Sequence, residues 1–81
     1  MTYNEIWGYS YERIQEYLLS QGAKVHGDVY HLANCVVTLE RLPDRKVGEL
    51  AFEQTRVHIE GPGADDFYHH HFKLKFLSGG A

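Results

Sequence analysis

Cysteine is almost missing from the chain: Cys35 stands alone, which excludes an internal disulfide framework and any zinc site built on paired cysteines. No apolar run is long enough to cross a bilayer. The opening residues, Met1-Thr2-Tyr3-Asn4-Glu5, lack the basic start and apolar stretch of a secretory signal, so the sequence reads as cytoplasmic with no membrane partner. Positive charge is the minority, eight Lys and Arg against eleven Asp and Glu, for a net charge of −3. A general nucleic-acid binder carries the opposite sign, which argues against duplex DNA. Internal repeats, low-complexity segments and linkers are also lacking. What is present is 43% hydrophobic residues in 81, too apolar for a disordered chain and room for one domain only, residues 1–81.

The N-terminal third has helical spacing. Trp7, Tyr11, Ile14 and Leu18 fall at i, i+4, i+7 and i+11 and would share one face. Ser10 is a natural N-cap, since Gly8 inside a helix costs about 1 kcal/mol relative to Ala. Gly22, following Gln21, is the expected C-terminal stop. The spacing therefore predicts a helix over residues 10–21.

After Ala23 the period changes from 3.6 to 2. Strands are expected at about 23–26, 29–42, 47–60 and 67–77, with Cys35, Val37 and Leu39 inward and Val36, Thr38 and Glu40 outward. Leu42-Pro43-Asp44-Arg45-Lys46 and Gly61-Pro62-Gly63-Ala64-Asp65-Asp66 have turn chemistry. Leu50 and Phe52 are out of phase with Val57 and Ile59, and this calls for a β-bulge near Gln54 or Thr55. Short connections favour antiparallel pairing. The expected fold is α+β: one N-terminal helix packed on a three- to four-stranded antiparallel meander sheet, a two-layer sandwich. Leu18 and Phe72 should meet in its core.

Three groups of residues are candidates for function. On the final strands Arg56, His58, His69, His71, Lys73 and Lys75 would line the outer face, a cationic strip suited to a small anionic ligand. If Glu60 pairs with Phe67 across the last loop, His58 opposes His69 and Arg56 opposes His71; with a tighter loop, Gly61 to Ala64, Arg56 opposes His69 instead. Within the strip His58, His69 and His71 have the spacing for a shared metal ion, since two imidazoles on one strand face lie two residues apart. Lys73 nearby works against a bound cation. At the N-terminus Tyr3, Trp7 and Tyr9 crowd together more densely than one helix face can bury, the composition of a protein contact.

Catalytic chemistry is weakly supported. Cys35 alternates with core residues as an inert thiol. The serines lack base and acid partners, and Gly61-Pro62-Gly63 lacks the Lys and Ser or Thr of a phosphate loop. No cofactor is implied. The sequence therefore reads as a small non-enzymatic binding or regulatory module that acts through protein–protein contact and self-associates as a homodimer. The alternative is a ligand-binding domain or small enzyme that uses the His/Arg/Lys face for a metal ion or an anion.

Overall fold

The computed structural model describes residues 2–69. In chain order the elements are β1 (Tyr3–Trp7), α1 (Tyr11–Ser20), β2 (Lys24–His26), β3 (Val29–His31), β4 (Val36–Val47), β5 (Leu50–Glu60) and a short α2 (Ala64–Phe67). The strands form one antiparallel sheet in the order β1-β5-β4-β3-β2. Both helices lie on one side of it. The α+β class and antiparallel sheet agree with the sequence; the number of strands and several boundaries do not.

Helix α1 forms where its spacing requires. The Ser10 hydroxyl accepts from the Arg13 amide at 3.2 Å, satisfying one of the free donors of the first turn. At the other end Gly22 takes φ +85°. Its amide bonds Leu19 O and the next amide, Ala23, bonds Leu18 O, a paired closure that needs a left-handed residue at this point. Tyr11, Ile14 and Leu18 are the buried stripe.

Trp7 belongs to β1 rather than to that stripe. Tyr3, Glu5 and Trp7 alternate inward opposite Ile59, Val57 and Thr55 of β5. Trp7 fits both a helical and a strand period; Gly8 and Tyr9 separate the two elements, so the strand reading wins. Alternation by two then buries Val37 and Leu39 on β4 and Thr55, Val57 and Ile59 on β5. Tyr30, Cys35, Ala64, Phe67 and Tyr68 complete the core.

The expected strand over 29–42 is divided. A turn closed by the Leu32 amide on Cys35 O at 2.9 Å separates β3 from β4. The expected turn at Pro43 is instead a bulge within β4: Leu42 pairs with Gln54 but Arg45 with Phe52, an extra residue on β4. Proline has no amide to donate and is tolerated where the ladder is interrupted. The chain reverses later, at Gly48-Glu49, where Gly48 adopts φ +62° as the first residue of a two-residue hairpin. The bulge thus lies across from the position expected near Gln54, and β5 itself never changes phase. Leu50 and Phe52 simply share the outer side with Arg56 and His58.

The last expected strand, residues 67–77, does not begin at Phe67, which ends α2. Both edges of β5 are occupied, since His58 pairs with Asn4 and Thr38 and Arg56 with Ile6 and Glu40. The expected hairpin pair of His58 with His69 is therefore not formed, and His71, the expected partner of Arg56, lies outside the described residues. Phe72 lies outside the described residues.

Candidate functional site

Two surfaces gather the chemistry. On the helix-covered side, the residues following α2 pack on β1. Tyr68 stacks on Tyr3, with ring centroids 4.3 Å apart. Its hydroxyl donates to both carboxylate oxygens of Glu5 at 2.8 Å, and Trp7 Nε1 donates to the same carboxylate at 3.0 Å. Burial, with help from that acceptor, pushes the Tyr68 hydroxyl up to about 12. The Tyr3 hydroxyl donates to Asp65 and lies 3.3 Å from His69 Nε2. Farther along the same side the Tyr11 hydroxyl donates to Asp28 at 2.6 Å and accepts from Tyr30 at 3.0 Å. Arg41 sits over the Tyr11 ring and pairs with Glu12, holding that carboxyl below its usual range. Burial raises the Cys35 thiol, the environment of an unreactive cysteine.

These contacts consume the aromatic groups of the N-terminus. Trp7 is 4% exposed and faces the core. Tyr3 and Tyr9 are half-buried against the core cluster. Tyr3, Trp7 and Tyr9 thus pack at the end of a small core, Tyr3 and Tyr9 keeping part of their surface open.

Among the described residues no helix lies over the opposite face. Strand alternation places His26, His31, Val29, Thr38, Glu40, Arg56, His58, Asn4 and Ile6 there by register. Two of its polar groups lie beside carboxylates: Arg56 Nε donates to Glu40 Oε1 at 3.1 Å, and His58 Nε2 lies 3.6 Å from Glu60. Arg56 and His58 are thus on one face. His69 stands beside Tyr3 on the other side of the sheet, and His71, Lys73 and Lys75 lie outside the described residues. Among the described residues no group of three or more His, Cys, Asp or Glu is placed to hold a metal ion.

Beyond the core the β4–β5 hairpin continues as an arm. Every residue from Pro43 to Glu53 is exposed. Near its base and along its outer face four large apolar side chains are open to solvent: Ile6 at 51%, Val47 at 51%, Leu50 at 62% and Phe52 at 47%. Beside them is an open groove of about 470 Å³ lined by Ile6, Gly8, Arg45, Val47, Phe52, Glu53 and Gln54. Reading this patch from sequence is difficult because an apolar residue in a strand is ordinarily assigned to the core. The signal was the phase difference between Leu50/Phe52 and Val57/Ile59, which marks outward-facing hydrophobes. Among the described residues no helix is long and apolar enough to cross a membrane. No known family model matches the chain, and no curated protein matches it.

Proposed function

We propose that the protein is a non-enzymatic contact module that self-associates through the outer face of the β4–β5 arm. The observation that carries this reading is the exposed group Ile6, Val47, Leu50 and Phe52. Scattered surface hydrophobes are ordinary, but a contiguous group on a protruding ribbon marks a contact surface. A two-stranded ribbon with neither face covered is only marginally stable in water, so a partner over this face stabilises the arm as well as burying apolar area. Aliphatic and aromatic anchors of this kind suit the desolvated centre of an interface.

The ligand-binding alternative rests on Arg56 and His58. Each already faces a carboxylate on the same surface, Glu40 and Glu60, so an incoming anion would compete with an existing partner. That favours the apolar contact. The test is light scattering over a concentration series. The wild type should show a mass rising towards that of a dimer. Phe52→Lys should remain monomeric with an unchanged melting temperature, since Phe52 is exposed in the protomer. A wild-type mass that stays monomeric up to the solubility limit overturns the reading.

A further inference from the structure

We propose that His26 and His31, on the outer face of the β2–β3 hairpin, form a two-imidazole site for a divalent late transition-metal ion. This site is independent of the self-association proposed above.

The histidines among the described residues divide by what they face. His58 lies beside Glu60, and His69 lies beside Asp65 and Tyr3. His26 and His31 face each other instead, with ring centroids 5.4 Å apart and planes at 81°. Among the described residues neither ring has a hydrogen bond or a carboxylate partner. Both residues are exposed, so their nitrogens are open to an incoming ion.

The backbone holds the two rings in place. His26 pairs with Val29 and His31 with Lys24, which makes the histidines diagonal neighbours on one face. Gly27 takes φ +63° in the two-residue turn Gly27-Asp28. The Leu39 amide donates to Asp28 O at 3.0 Å and ties that turn to β4. Tyr30, between Val29 and His31, is fully buried and donates to the Tyr11 hydroxyl. The ordering cost of binding therefore falls on side-chain torsions alone.

The spacing suits one ion. With metal–nitrogen bonds of ~2.0–2.1 Å, and about 1.2 Å more from nitrogen to ring centre, two imidazoles on a tetrahedral ion have centroids about 5.2 Å apart. The observed 5.4 Å is close to that figure without backbone movement. Turning each exposed ring about its side-chain bonds aims one nitrogen of each at a common point, and water completes the shell. Imidazole selects the late divalent ions, among which copper(II) binds most tightly. Lys24 faces His31 across the pair, but its exposed stem lets the ammonium turn into solvent.

The test uses the full chain with His58, His69, His70 and His71 replaced by Gln, which leaves His26 and His31 as its remaining histidines. Copper(II) alone is the probe, titrated by calorimetry in a weakly coordinating buffer. One ion should bind per chain, with an affinity about tenfold or more above that of the same protein carrying His31→Gln, because the second imidazole binds intramolecularly. A smaller difference overturns the site. Should the four substitutions prevent folding, proton NMR of the wild type decides. Copper(II) at a small fraction of one equivalent should broaden the ring signals of His26 and His31 together, and broadening of one without the other, or of neither, overturns the site.

Discussion

Gly22 shows how a single residue fixes an element boundary. It adopts φ +85°, and a Cβ there would meet nothing within 4 Å. The penalty for a side chain is therefore conformational, not steric crowding by neighbours. Left-handed backbone costs an L-residue roughly 1–2 kcal/mol, more for a β-branched one. Gly22→Val should lower stability by about that amount in chemical denaturation, whereas Gly22→Asn, which tolerates this region, should lose less. Equal loss in both would show that the glycine serves another purpose. Tyr68 is informative at the same scale. Its folded value of about 12 lies above the ordinary 10, so its contribution to stability is intact below about pH 10 and is lost as pH rises towards 12. Tyr68→Phe removes the ionisable hydroxyl, and its melting temperature should fall less steeply over that window than the wild type's. Identical slopes would mean that Tyr68 is not buried against Glu5. The Ser10 cap and the Gly22 stop were legible because both depend on local backbone chemistry alone. The partners of Tyr68 were not, since Glu5 is distant in sequence and only the fold brings it near.

At the scale of elements, α1 holds the sheet through Tyr11, Ile14 and Leu18. Leu18 has no solvent exposure, so Leu18→Ala should cost about 2–5 kcal/mol, the range for emptying a closed core site. A loss below about 1 kcal/mol, by urea titration, would show that α1 is not docked as described. Helix and inward strand residues such as Val37 and Leu39 could be read from period alone. Three elements could not. Trp7 satisfies two periods at once, and the choice of β1 over a longer helix depends on β5 offering an open edge. Pro43-Asp44 has the chemistry of a turn, yet continued pairing beyond it absorbs the same residues as a bulge. Leu50 and Phe52 mimic a phase slip because alternation identifies a face only when one side is covered, and along the arm neither is. The outer placement of Arg56 and His58 followed from alternation; the filling of both β5 edges, which separates His58 from His69, is a property of sheet order that no local pattern encodes.

For the molecule as a whole, the division between core and arm gives the sharpest expectation. Burial ends on β4 and β5 at Leu39 and Thr55, and every residue from Pro43 to Glu53 is exposed. The arm therefore contributes little apolar burial to the protomer, while the hydrophobes it carries are those of the proposed contact. Leu42 and Gln54 are directly paired at its base. Joining them through Asn-Gly, in place of residues 43–53, closes a two-residue hairpin in register, a connection whose twist suits antiparallel strands. The shortened chain also moves the reversal from Gly48-Glu49 to the base of the arm, so fewer residues separate Leu42 from Gln54 when β4 closes on β5. It should fold cooperatively with a melting temperature close to or above that of the wild-type protomer, measured at a concentration where the wild type is monomeric. Its mass should remain that of a monomer at concentrations where the wild type is dimeric. Loss of the folded state on excision would show that the arm is part of the core after all, and a shortened chain that still dimerises would move the contact to another surface of the sheet.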